Sequence, residues 1–183
     1  MDRATGKNMT VFLGLIALAI ASRLVMFMPN LHAVTAAALF AGFYFRSRLL
    51  AACVPIVAMS VSNWMIGGYA WEVMLAVYAA MLVPVACRGL LRAKLSPLRV
   101  VGSAVASTLV FYFATNAAVW YVGVWYPRTA DGLLACYVAA LPFLANALMG
   151  DLAFSAILFG AYAANKNLGV ASLARFRVAS MTR

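Results

Sequence analysis

Residues 132–164 read GLLACYVAALPFLANALMGDLAFSAILFGAYAA, and this stretch decides the class of protein. It contains a single charged residue, Asp151, and it is longer than the roughly 20 apolar residues that one transmembrane helix needs. Pro142 lies inside the stretch, and proline removes a helical hydrogen bond. We therefore predict a short interfacial helix at 132–137 followed by a membrane span at 140–164.

The rest of the chain is equally apolar. Of its 183 residues, 67% are hydrophobic and 10% are charged. Soluble domains average roughly 45–50% apolar and about 25% charged residues, and a soluble domain of this size could not bury so much apolar surface. The composition predicts an integral membrane protein. It excludes a separate soluble enzyme domain, because no long polar stretch is present to build one.

Five further apolar segments precede the quoted stretch. They lie at 10–28, 31–45, 49–66, 71–90 and 98–121. The first segment is too long for the apolar core of a typical signal peptide, so we expect it to remain a membrane span. The sequence predicts an all-α bundle of six transmembrane helices, with one domain over residues 1–165 and a basic cytoplasmic tail at 166–183.

The charge pattern predicts the orientation in the membrane. The formal net charge is +10, from 14 Lys and Arg against 4 Asp and Glu. If the N-terminus is cytoplasmic, all basic residues except Arg23 and Arg128 fall in the N-terminal segment, alternate loops and the C-terminal tail. The positive-inside rule then places both termini in the cytoplasm of a bacterial inner membrane. The rule also explains the basic charge without a nucleic-acid partner.

Four spans carry polar side chains at one level, about 5–9 Å below their outer ends by helix rise. They are Arg23, Asn63, Asn116 and Asn146. Polar groups in a membrane face the bundle interior or a wet cavity. Two interpretations are open: hydrogen bonding between helices with Arg23 extended outwards, or an outward-facing ligand cavity. Trp120 lies one turn from Asn116 and is placed to stack on a planar ligand.

Four other residues complete the candidate binding set. Asp151, near the middle of the last span, is paired, neutral, or used for a ligand or proton. His32 follows Asn30 in an outer turn and either caps the second span or binds ligand. Trp71 belongs to an outward group of aromatic residues that forms an interfacial belt or lines a pocket. Helix rise separates His32 from Asp151 by about 15–20 Å, which argues against an enzyme using both.

Small residues recur every four positions in two of the spans, at Ala17, Ala21, Ala33, Ala37 and Ala41. Such faces let helices approach closely. The pattern predicts either packing within the bundle or docking against a second membrane subunit.

Sequence motifs for catalysis and metal binding are missing. The chain has no GxxxxGK[ST] phosphate loop, no HExxH and no GxSxG. The three cysteines lack metal-ligand spacing. We therefore expect no enzymatic activity, no cofactor and no metal site.

Several short segments together carry a family resemblance. They are Ser22-Arg23-Leu24, Pro29-Asn30, Thr115-Asn116, Tyr126-Pro127-Arg128-Thr129, Leu141-Pro142-Phe143 and Gly150-Asp151-Leu152. With the surrounding spans, they resemble an uncharacterised bacterial family related to the substrate-binding S components of energy-coupling factor transporters. The resemblance implies a six-helix protein that binds a vitamin or similar micronutrient. A cobalamin-like compound is one of the candidate ligands. It also implies either a transmembrane coupling subunit with ABC-type ATPases as partners or a component that acts alone.

The sequence therefore favours an uptake component that captures a micronutrient in the outer half of the bundle. The alternative is a structural scaffold subunit of a cell-envelope complex, with the same fold and a packed interior. A solvent-filled outer cavity at the level of the polar side chains would distinguish the first from the second.

Overall fold

A computed structural model describes residues 3–25, 28–123 and 125–181, with side chains described no further than residue 166. This part of the chain is helical and contains no strand. The helices are α1 (Arg3–Leu24), α2 (Val34–Tyr44), α3 (Arg48–Ile66), α4 (Trp71–Ala80), α5 (Val83–Ala86), α6 (Arg88–Ala93), α7 (Pro97–Val122) and α8 (Ala130–Met181). The predicted all-α class is confirmed.

Five segments of the described chain are long and apolar enough to cross a membrane. They are Thr5–Leu24, Arg48–Ile66, Trp71–Ala93, Pro97–Val122 and Ala130–Lys166. The predicted second span at 31–45 is helical only over the 11 residues of α2. That helix is about 16 Å long, roughly half the thickness of a bilayer's hydrocarbon core. The architecture is compatible with a multi-pass membrane protein.

The short helix α2 forms the centre of the bundle. Its residues from Val34 to Gly42 are all buried, and it packs against α1, α3, α5 and α8. Four of these nine residues are alanines, whose small side chains let the neighbouring helices approach closely from several directions. A helix buried on every side forms a core element, and it fixes the positions of the helices around it.

Helix α8 overturns the predicted break at Pro142. It is one continuous helix of 52 residues, so the separate interfacial helix at 132–137 and span at 140–164 are wrong. Membrane helices tolerate an internal proline where local adjustment or neighbouring groups satisfy the freed carbonyl. The helix also continues into the predicted tail at 166–183, whose side chains beyond residue 166 lie outside the described part.

The predicted fourth span at 71–90 is divided into three consecutive helices. It comprises α4, the single turn α5 and the short α6. Pro84 lies in the first turn of α5, where its missing N–H is tolerated, whereas within a continuing α4 it would remove a backbone hydrogen bond. The proline therefore gives a local reason for a new helix start in the middle of this segment.

Arginines gather at the end of the bundle where α2 terminates. Arg92 donates through Nε to the Phe43 carbonyl at 2.8 Å, and Arg88 donates to the Arg46 carbonyl at 2.8 Å. Cations are favourable at a helix C-terminus because the last carbonyls there lack helical partners. This end holds two of the loops that the charge pattern assigns to the cytoplasm.

Gly42 marks the closest approach between α2 and α5, and its replacement by alanine tests that contact. An added Cβ would lie 3.0 Å from the Val85 carbonyl oxygen and 3.1 Å from its Cα. We expect Gly42→Ala to lower stability by about 1–3 kcal/mol, because backbone atoms must move apart. Thermal unfolding in detergent measures the effect.

Gly102→Ala is the control, since its added Cβ meets nothing within 4 Å. Equal stability of the two variants would contradict the contact.

Candidate functional site

A cavity of about 230 Å³ lies in the bundle beside the start of α2. Its walls come from the end of α1, the α1–α2 loop, α3, the α3–α4 loop, the α4 region and one side chain of α7. Because α2 begins only at Val34, the loop before it occupies space that a full-length helix would fill. The cavity therefore lies beside the loop that precedes the short central helix.

Arg23 in the last turn of α1 is the only charged residue among those described that line this cavity. It is only 5% exposed. Its Nη1 donates to the Ser62 hydroxyl at 2.6 Å and to the Met59 sulfur at 2.9 Å. The Ser62 hydroxyl in turn donates to the Ala58 carbonyl at 2.6 Å. Within the described chain, the hydrogen-bond partners of the buried guanidinium are therefore neutral.

The α1–α2 loop is held from two sides. The Ser22 hydroxyl on α1 accepts from the Ala33 N–H at 2.9 Å, and the Asn146 side-chain amide on α8 donates to the Pro29 carbonyl at 3.0 Å. Asn30 has a φ of 64°, a left-handed conformation in which asparagine is enriched. The loop therefore presents Asn30 to the cavity from a defined backbone geometry.

His32 lies on the same loop, lines the cavity and approaches α8. A Cβ on Gly150 would be 3.1 Å from the His32 backbone nitrogen. Helix-rise counting had separated His32 from Asp151 by 15–20 Å, and this estimate is wrong because the loop reaches inwards to the residue next to Asp151. No hydrogen bond joins the two side chains within the described chain: the His32 Nδ1 is buried without a partner.

The His32 imidazole is held in its neutral form. Burial, followed by the nearby positive charge of Arg23, lowers the pKa of His32 from 6.5 to about 4. The group is therefore neutral near pH 7, with one nitrogen that donates and one that accepts. It adds hydrogen-bonding capacity to the cavity without adding charge.

The lowered pKa predicts a pH-dependent stability that His32→Gln removes. The unfolded chain binds a proton at His32 below about pH 6.5, whereas the folded chain does so only near pH 4. The contribution of the neutral His32 side chain to the free energy of unfolding is fully present above pH 6.5. It is lost as the pH falls towards 4, for a total change of about 3 kcal/mol. Thermal unfolding of the wild type and of His32→Gln between pH 7.5 and 4 measures this loss of stability. Parallel pH profiles would contradict the neutral buried imidazole.

Asp151 is paired with a hydroxyl group, and Arg23 is not its partner. The Thr108 hydroxyl of α7 donates to the Asp151 Oδ2 at 2.6 Å, and both residues are buried. Ser155, one turn further along α8, has a buried hydroxyl without a partner in the described chain. This polar contact joins α7 to α8, and Asp151 is not among the described residues that line the cavity beside the start of α2.

The asparagines predicted at one level do not converge. Asn116 donates to the Tyr112 carbonyl of its own helix and lines a second cavity of about 80 Å³. Asn146 binds the α1–α2 loop, as described above. Asn63 is buried, and neither atom of its amide has a partner among the described residues. Asn63 is not among the described residues that line either of these two cavities.

The two candidate tryptophans, Trp71 and Trp120, are not among the described residues that line the cavity. Trp120 donates through Nε1 to the Pro127 carbonyl at 3.0 Å, which ties the end of α7 to the α7–α8 turn. Trp71 is 71% exposed, as an interfacial aromatic residue would be. Of the nine predicted binding residues, the structure therefore brings Arg23, Asn30 and His32 to one cavity.

A family model described as "Family of unknown function (DUF6580)" matches residues 3–172. The chain belongs to the DUF6580 family. The matched region includes every described residue that lines the cavity beside the start of α2, so the DUF6580 segment contains the described candidate site. No curated protein and no solved structure matches the chain. The relationship to transporter S components stays a prediction.

The sequence pattern did not identify the apolar part of the site in this DUF6580 chain. Met59, Met81 and Phe111 line the cavity, as do the paired glycines 67–68. The glycine pair is a recognisable turn signal at the end of a span. The methionine and phenylalanine positions are indistinguishable from ordinary core positions by sequence pattern, so no signal was available for them.

The small residues divide into two groups. Ala33, Ala37 and Ala41 are fully buried inside the bundle, so the prediction that they dock a partner is wrong. The reason is that α2 is central and uses its alanines for internal packing. Ala17 and Ala21 on α1 are exposed, and their docking role stays a prediction.

Proposed function

We propose that the protein is a substrate-binding membrane component that takes up a small micronutrient by capturing it in the outer cavity. The single observation that carries the proposal is this cavity of about 230 Å³, into which a buried arginine with neutral partners faces. A packed scaffold has no need for such a space, and a buried cation there costs stability. In this proposal the bundle crosses a bacterial inner membrane six times, α2 being the shortened central crossing, with both termini cytoplasmic.

The size of the cavity limits the ligand. About 230 Å³ holds roughly seven water molecules at about 30 Å³ each. A corrin ring system is several times larger, so the cavity favours a smaller compound than the cobalamin-like ligand considered from the sequence. The ligand is therefore a compact molecule that displaces a few waters.

Energy for release comes from a partner in this proposal, since the sequence has no phosphate loop. The exposed face of α1 that carries Ala17 and Ala21 is suited to close helix packing against a transmembrane coupling subunit. That subunit would in turn engage ABC-type ATPases, as the family resemblance implies.

The test is mass spectrometry of small molecules that co-purify with the detergent-solubilised protein. Gly68 lines the cavity, and a Cβ added there meets only the Met74 side chain at 3.4 Å, so Gly68→Phe narrows the site without a backbone clash. Gly102→Phe is the matched control, because nothing lies within 4 Å of its added Cβ. We expect a compound to be retained by the wild type and the control and lost from Gly68→Phe. Identical retention in all three proteins, or none, favours the scaffold.

A further inference from the structure

We infer that the occupant of the outer cavity is a small monoanion, a carboxylate attached to an apolar body. The inference rests on the proposed function for its physiological meaning, and it specifies the class of substrate. Two properties of the described cavity lead to it, its charge and its apolar lining, and the sulfur and imidazole groups of the lining are consistent with both.

Within the described lining, the charge of the cavity is positive and no acidic side chain opposes it. Arg23 is the only charged side chain in the described lining, and it is 5% exposed. Its bonds to Ser62 and Met59 use only Nη1 of a group that has five N–H donors, and the neutral Tyr69 hydroxyl of the same lining is the further polar group beside it. A carboxylate accepts two parallel hydrogen bonds from a guanidinium, and it supplies the missing opposite charge. An anionic ligand therefore offsets the electrostatic cost of burying this guanidinium.

The soft atoms of the site do not indicate a metal. Met28, Met59, Met81 and His32 all line the cavity, and thioether and imidazole groups are ligands for soft transition metals. However, the Met59 sulfur already accepts a hydrogen bond from Arg23, and the guanidinium repels any cation placed beside it. The described residues also contain no cluster of three His, Cys, Asp or Glu side chains. The methionines are therefore better explained as adaptable apolar walls.

The remaining lining distinguishes an organic carboxylate from an inorganic anion. Leu31, Ile66, Val77 and Phe111 contribute apolar surface. Phosphate and sulfate are strongly hydrated and need several donors, whereas an apolar body attached to one carboxylate matches both parts of the site. A single aromatic ring is a body of the size that a cavity of about 230 Å³ holds.

The experiment compares carboxylates with their own amides. Isothermal titration of the purified full-length protein in detergent uses benzoate against benzamide and nicotinate against nicotinamide, with inorganic phosphate and sulfate as separate probes. We expect at least one carboxylate to bind about 10- to 100-fold more tightly than its amide, and also more tightly than either inorganic ion. Arg23→Met should abolish the preference, whereas Arg23→Lys, which keeps the charge but not the fork, should retain part of it.

The possible outcomes separate this inference from the proposed function. No carboxylate preference, a preference that survives Arg23→Met, or tighter binding of phosphate or sulfate overturns the inference. A neutral or cationic compound that co-purifies and is lost from Gly68→Phe overturns it too, while the proposed function stands. Arg23-dependent carboxylate binding without accumulation of that radiolabelled carboxylate in expressing cells supports the inference and contradicts uptake.

Discussion

Gly132→Ala is expected to lower stability by about 3 kcal/mol or more, at or above the upper end of the usual range for overpacked positions. An alanine Cβ at this position would overlap the carbonyl oxygen of Pro127. That oxygen accepts hydrogen bonds from the Thr129 N–H at 2.8 Å and from Trp120 Nε1 at 3.0 Å. Moving it disrupts both bonds and the start of α8. Thermal unfolding and tryptophan fluorescence of the detergent-solubilised protein measure the two effects.

Gly160→Ala in the same helix is the control for this prediction. Nothing lies within 4 Å of a Cβ added at Gly160. Alanine is favoured over glycine in helices by up to about 1 kcal/mol, so this variant should be as stable as the wild type or more stable. If both alanine variants unfold at the wild-type temperature, the tight turn between α7 and α8 is not as described.

Arg23→Met is expected to raise the free energy of unfolding by about 1–2 kcal/mol while it removes anion binding. Replacing a buried charge with an apolar side chain of similar length is often stabilising, because the desolvation cost disappears. Ser62 keeps its own hydrogen bond to the Ala58 carbonyl, so no buried donor is left without a partner. Thermal unfolding without added ligand measures the change. The free energy of unfolding is expected to rise because Arg23 is retained for ligand binding although its burial lowers stability.

A purely structural role for Arg23 predicts that Arg23→Met changes the free energy of unfolding in the opposite direction. If its bonds to Ser62 and Met59 hold α1 against α3, Arg23→Met lowers the unfolding temperature. Arg48→Met is the control for loss of one positive charge, because Arg48 is exposed at the start of α3. Surface substitutions of this kind usually change stability by less than about 0.5 kcal/mol. A loss of stability confined to Arg23→Met would therefore favour the structural role.

Hydropathy alone located the apolar helical segments of the described chain and predicted two of the helices closely. The segments predicted at 49–66 and 98–121 agree within one residue at each end with α3 and α7. Long apolar runs specify helices because backbone groups in a bilayer must bond within their own segment. Continuity across proline was not predictable in this way. Pro142 lies inside one helix, whereas Pro84 begins a new one.

The sequence determined the all-α class and the residues that are costly to bury, since both follow from side-chain polarity in long apolar segments. Arg23, Asn30 and His32 belong to that predicted set, and the structure brings them to one cavity. Tertiary structure alone decided how the other predicted residues are used. Counting depth by helix rise treats each apolar segment as a full crossing, but α2 is only 11 residues long and its preceding loop reaches inwards. The level of a side chain depends on where its helix begins within the packed bundle, and packing between distant segments sets that position.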